Sequence, residues 1–211
     1  YLFNGTGVDE AYVDLSGTYM IQTSTTATNN RVWEFVPNTT KLTNTNMAHG
    51  CVGSQKHIAN VSGVGPGVWD LTDASPISGT AIMSSYPGTL DKHTSWLTPN
   101  DLSTCYISTL SSATPWVRYQ NEVIRIWTDA SLQWRRLCHH RSDLTVADYY
   151  NSTPRGNISR DGRWYIFHSN WDNLNVSPQR EYGFMLKVPT EAEFAAGDYA
   201  GVVPNREFFA F

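Results

Sequence analysis

The chain has 211 residues, 16% of them charged and 13% aromatic, with a formal net charge of -4. That length suits one all-β domain with a sizeable core. The aromatic content excludes a disordered chain, and the acidic balance, with a sequence pI near 5.8, lacks the basic footprint of a nucleic-acid binder.

In chain order, the first element is a polar turn running into a strand, Val13-Asp14-Leu15-Ser16-Gly17-Thr18-Tyr19-Met20-Ile21-Gln22-Thr23. Arg31-Val32-Trp33-Glu34-Phe35-Val36 alternates and stops at Pro37. Lys56 to Val61 and Gly67 to Leu71 follow as strands, then Thr104 to Thr109 and the strongly alternating Glu122 to Trp127. The stretch Trp134-Arg135-Arg136-Leu137-Cys138-His139-His140-Arg141 reads as a strand end with a solvated edge rather than a phosphate-binding patch. The clearest unit, Ile158 to Ser169, is expected to place Ile158, Tyr165 or Trp164, and Phe167 in the core. Alternation puts Ile166 on its other face, which is also expected to be buried. Tyr182 to Val188 is the last strand, and residues 190–197 form a short helix with Thr190 as N-cap and Gly197 as stop. No apolar run approaches the roughly 20 residues that a membrane-spanning helix needs.

These elements repeat. Leu15-Ser16-Gly17-Thr18-Tyr19-Met20-Ile21 parallels Arg160-Asp161-Gly162-Arg163-Trp164-Tyr165-Ile166, each with glycine in a tight turn before an aromatic. Inner strands centre near residues 20, 58, 106 and 166, bracketing the roughly 40–50-residue period of propeller blades. The expected fold is therefore all-β: about four blades of four antiparallel strands in a β-propeller, spanning residues 1–211 without a dividing linker.

One segment resembles a known family. It comprises Glu122 to Ile126, Arg136-Leu137-Cys138-His139-His140-Arg141-Ser142, Asp148 to Arg155, and Ile158 to Trp171. It is similar to the last blades of secreted, WD40-like (TolB-type) β-propeller proteins, over about a quarter of the chain. Ala48-His49-Gly50 and Lys92-His93-Thr94 look like the turns that open other blades in that family. The resemblance implies a ring of seven or eight blades, of which this chain would be a portion. With Tyr1 rather than Met at the start, it predicts a chain that sits against other chains, the remaining blades of its own protein, or copies in a polymer. A distant similarity to oligogalacturonate lyases, which share a related propeller, raises the alternative of a carbohydrate-active enzyme.

The candidate site residues are His49, His93, His139, His140 and His168, read as lying at blade edges near the mouth of a central channel, with Arg141 and Arg155. Neutral imidazoles gathered there can hold a divalent metal. The competing reading, favoured here, gives each histidine a structural hydrogen bond, because no HxH or HxxxH spacing occurs and adjacent His139 and His140 point to opposite faces of a strand. Asp161 reads as the cap of its turn rather than a catalytic base. Trp96, Trp116, Trp127, Trp134, Trp164 and Trp171 are read mostly as core, with one or two left as platforms for sugar rings.

Glycosylation sequons stand at Asn4, Asn38, Asn60, Asn151 and Asn175, and a sixth, at Asn157, opens a strand and is read as inaccessible. Of the three cysteines, Cys105 and Cys138 form a disulfide in an oxidising compartment, or all stay free thiols. Two functional readings follow. One is a secreted or cell-surface, non-catalytic scaffold or binding module, with protein chains and polysaccharide as the partner classes. The other is a lyase-type enzyme with a histidine-lined channel mouth.

Overall fold

The computed structural model describes residues 8–24, 30–43, 47, 49–61, 64–84, 86, 91–96, 102–110, 118–142, 153–170 and 182–196. Among these the protein is all-β, with fifteen strands and one short helix. In chain order, β1 (Val8–Val13), β2 (Tyr19–Ser24), β3 (Arg31–Glu34) and β4 (Thr39–Leu42) make one sheet. A second contains β5 (Cys51–Val52), β6 (Lys56–Val61), β7 (Gly65–Asp70) and β8 (Gly79–Ala81). The third contains β9 (Asp91–Trp96), β10 (Thr104–Leu110), β11 (Glu122–Trp127) and β12 (Trp134–His139). The fourth contains β13 (Asn157–Ile158), β14 (Trp164–Ser169) and β15 (Tyr182–Lys187), and α1 (Glu191–Ala195) follows it. Every strand pairs with its chain neighbour, so each sheet is an up-and-down antiparallel meander.

The four sheets share more than topology. In each, the residue after the third strand donates its N–H to the carbonyl of the residue before the second: Phe35 to Thr18, Leu71 to Gln55, Thr128 to Ser103 and Val188 to Arg163, at 2.8–3.0 Å. The sequence-stretches read as inner strands are thus the second strands β2, β6, β10 and β14, each paired on both sides.

The chain divides into two compact units. The first holds the first two sheets and a core of Tyr19, Ile21, Val32, Met47, Ala59, Trp69, Leu71 and Ile77. Each fully buried aliphatic side chain there contributes about 1.5–3 kcal/mol. Asp14 organises the turn into β2. Its Oδ1 accepts the N–H groups of Thr18 and Tyr19, and its Oδ2 accepts those of Ser16 and Gln55 and the Ser16 hydroxyl. Gly17, at φ +70°, makes the reversal at a conformation that a side chain would strain. Asn30 ties β2 to the segment between β4 and β5, its Oδ1 accepting the N–H groups of Ser24 and Met47.

The second unit holds the other two sheets around Tyr106, Val123, Leu137, Tyr165, Phe167, Leu186 and Val188. Serines stitch them: Ser108 Oγ donates to the Pro154 carbonyl at 2.8 Å, and Ile158 N–H donates to Ser95 Oγ at 3.1 Å. α1 forms with the expected Thr190 N-cap, in a capping box with Glu193, while the expected stop at Gly197 lies outside the described residues. It is fixed by Arg125 paired with Glu191 at 2.7 Å and by Arg135 over the Phe194 ring.

Two expectations need correction. Cys105 and Cys138 form no disulfide, and neither does Cys51, so the alternative reading of three thiols holds. β10 and β12 flank β11, so their Cα atoms are separated by two strand spacings, about 9.5 Å, beyond the roughly 7 Å a disulfide can bridge. Ile166 is 52% exposed, although its neighbours Tyr165 and Phe167 are buried as expected. Only one face of β14 packs in the core; Ile166 and its cross-strand partner Met185 lie on the other.

Candidate functional site

Most of the candidate residues fall in the second unit. There β12 ends at His139, and the chain turns through His140 and Arg141, the latter at φ +55°. Asn121, also left-handed at φ +56°, leads into β11 opposite that turn. Its carbonyl accepts His140 N–H at 3.0 Å and its Nδ2 donates to the Ser142 carbonyl at 3.3 Å. Thr109, at the end of β10, accepts Glu122 N–H through Oγ1 and donates to the Tyr119 carbonyl. The ends of three strands are thereby held together.

His140 is at the centre and is completely buried. Nε2 lies 2.7 Å from the Thr109 carbonyl, and Nδ1 lies 3.1 Å from the backbone N–H of Ser142. A carbonyl only accepts and an amide N–H only donates, so the ring is the neutral tautomer with its proton on Nε2. Burial pushes its pKa down to about 3, against the upward pull of its bond to Thr109, and neighbouring His139 and His168 add to the depression. Both ring nitrogens are engaged, so His140 has no lone pair to give a metal ion. Its carbonyl also accepts the Ser169 hydroxyl at 2.7 Å, tying β14 to the same turn.

His139 is exposed and stacks beside His140 with ring centroids 6.1 Å apart. Across the strand pair from it stands Glu122, buried and bound through Oε1 to the Arg136 guanidinium at 2.6 Å. Among the described residues, Glu122 Oε2 has no hydrogen-bond partner. Beyond this pair, the exposed Arg118 lies over the rings of Tyr119 and Trp134, which meet edge to face at 4.9 Å.

The other candidates are placed as follows. His168 is half-buried within β14, a strand paired on both sides rather than at an edge. His93 is half-buried on the edge strand β9, opposite Ser108. Arg141 and Arg155 are exposed. His49 belongs to the first unit, where its N–H donates to Glu10 Oε2 at 2.7 Å just before β5. Of the two segments read as blade-opening turns, His49-Gly50 precedes β5, whereas Lys92-His93-Thr94 lies within β9 rather than in a turn. The structure therefore gathers His139, His140 and His168. Among the described residues, no group of three or more His, Cys, Asp or Glu side chains is placed to hold a metal ion.

Asp161 accepts from Ser159 Oγ and Arg163 N–H, as a turn cap should. Trp96 is buried and Trp127, Trp134 and Trp164 are half-buried, while Trp116 and Trp171 lie outside the described residues. Sequons Asn4, Asn151 and Asn175 also lie outside them. Asn60 is half-buried within β6, and Asn38 is exposed in the β3–β4 turn. Asn157, expected to be inaccessible, is exposed because β13 is an edge strand.

Sequence reasoning missed Asp14, Thr109, Asn121 and Glu122. Asp14 had a usable signal: it precedes Ser-Gly by the spacing at which Ser159 precedes Asp-Gly. The others had none, because their partners are 10 to 31 residues away in the chain. The chain matches no protein-family model and no curated protein. Among the described residues, no helix is long and apolar enough to cross a membrane.

Proposed function

We propose that the four sheets are blades of a β-propeller and that the protein is an extracellular, non-catalytic scaffold or binding module. The recurrent hydrogen bond between the flanks of the second and third strands carries this reading. It makes the sheets, three of four strands and one of three, versions of one antiparallel meander, and repeated meanders of this kind are what a propeller requires. The titratable groups at the strand ends support the non-catalytic part. His140 is locked as a neutral structural donor, and Asp14 spends both carboxylate oxygens on the backbone.

A carbohydrate-lyase reading rests on exposed His139 and Arg141 beside the Glu122–Arg136 pair. One experiment separates the two. The protein is incubated with a panel of polysaccharides, including polygalacturonate, and both retention and unsaturated products are measured. The binding-module reading expects retention without products. Release of unsaturated uronides, abolished by His139→Ala, would replace it with the enzyme.

A further inference from the structure

We infer that Asn38 carries an N-linked glycan and that the first sheet is built to present it. The inference rests on the extracellular placement proposed above, but the site itself is argued from local geometry. Asn38-Thr39-Thr40 is a sequon in the turn between β3 and β4, the outermost strand of its sheet. Asn38 sits at φ +68°, and all three of its sequon residues are exposed.

The side chain is oriented. Trp33 Nε1 lies 2.8 Å from the Asn38 amide oxygen. An indole N–H only donates, so the atom facing it must be Oδ1, which leaves Nδ2, the atom that bonds to sugar, as the other end of the amide. Trp33 is also the cross-strand partner of Thr40, whose side chain therefore shares its face of the sheet. Both functional residues of the sequon thus gather around one indole. That indole meets Phe35 edge to face at 5.1 Å, giving an aromatic surface beside the acceptor nitrogen.

The other described sequons lack this arrangement. Asn60 is half-buried within β6, where a glycan would have to emerge between paired strands. At Asn157 the sequon hydroxyl, that of Ser159, is already engaged with Asp161 and the Trp164 N–H. A glycan on Asn38 breaks none of these bonds, since Oδ1 keeps the Trp33 contact after Nδ2 is substituted.

The modification needs a lipid-pyrophosphate-linked oligosaccharide as donor. Nδ2 bonds to the anomeric carbon, the bond from that carbon to the pyrophosphate oxygen breaks, and lipid pyrophosphate leaves. One Nδ2 proton passes to a base of the transferase.

The test expresses the full chain behind a cleavable secretion signal in a eukaryotic host. The whole translocated pool, secreted and retained, is treated with a peptide N-glycosidase in heavy-oxygen water and mapped by mass spectrometry. Asn38 is expected to be occupied in most chains, and Asn38→Gln to remove that glycan without reducing secretion. The glycosylated chain should melt no lower than the enzymatically stripped one. Asn38 unoccupied in that pool, or occupied only in misfolded retained chains, would overturn the inference. Fractionation of native cells tests the extracellular placement separately: a cytoplasmic location would refute that placement and leave the mapping result intact.

Discussion

The turn into β2 and the turn into β14 have the same hydrogen-bonded frame but opposite chemistry. In both, the first residue's N–H bonds to the carbonyl of the aromatic five positions on, and glycine adopts φ near +70°. In the first, Ser16 donates its hydroxyl to Asp14; in the second, Ser159 donates to Asp161, so donor and acceptor have exchanged places. The consequence is a difference in reach. Asp14 is 3% exposed and holds five donors, one of them Gln55 N–H in the next sheet's turn, whereas Asp161 is exposed and bonds only within its own turn. One frame serves as an anchor between sheets or as a local cap, depending on which of two positions holds the carboxylate.

The largest effect that would break this comparison is at Asp14. Asp14→Ala takes the acceptor from four backbone N–H groups, one buried and three partly buried, and should destabilise the protein by about 3 kcal/mol in urea unfolding. A loss no larger than that at Asp161 would mean the two turns are equivalent after all. Burial pulls the Asp14 carboxyl upward, but hydrogen bonds from Ser16, Tyr19 and Gln55 outweigh it and hold its pKa below the usual value. Its contribution is therefore present at neutral pH and disappears only as pH falls below the ordinary carboxylate range.

In the second unit the pH-sensitive group is His140. Its folded pKa lies below its unfolded one, so the unfolded chain binds the extra proton first and stability falls as pH drops from about 6.5 toward 3. Between pH 7 and pH 5 the expected loss is about 2 kcal/mol. Chemical denaturation at the two values checks it, with His140→Gln expected to flatten the difference. A wild-type chain equally stable at both would show that the imidazole is solvated.

Smaller effects sharpen the contrast. Asp161→Ala should lower the urea midpoint far less than Asp14→Ala does, since it removes only an exposed local cap. Ile166→Thr, on the exposed face of β14, should change the melting free energy by less than about 0.5 kcal/mol. A loss of core size would mean that this face is covered in solution.

The strands legible in the sequence are those paired on both sides, together with β15 at a sheet edge. β2, β6, β10 and β14 with β3, β7, β11 and β15 carry the buried alternation or continuous apolar runs on which pattern reading depends. The strands that escaped it, such as β1, β4 and β8, lie at sheet edges. β4 reads Thr-Thr-Lys-Leu and β8 Gly-Thr-Ala, with mostly exposed side chains and no apolar face to reveal them. At the candidate site, spacing favoured the structural role that His140 has, but the opposite orientations expected of His139 and His140 do not hold: His140 lies beyond the end of β12, and the two rings stack. It could not find Thr109 or Asn121, because a hydroxyl or amide that bonds a backbone group on another strand leaves no periodic trace. The proposed Cys105–Cys138 bond failed for a related reason: the strand between them is visible only in the sheet order.

The central claim is that the four sheets are copies of one hydrogen-bonded unit. Amide hydrogen exchange of the folded chain tests it most directly, read at Phe35, Leu71, Thr128 and Val188, the donors of the recurrent bond. All four should exchange slowly, with protection comparable to amides inside their own third strands. Exchange at the rate of an unstructured amide at any two of them would contradict the claim.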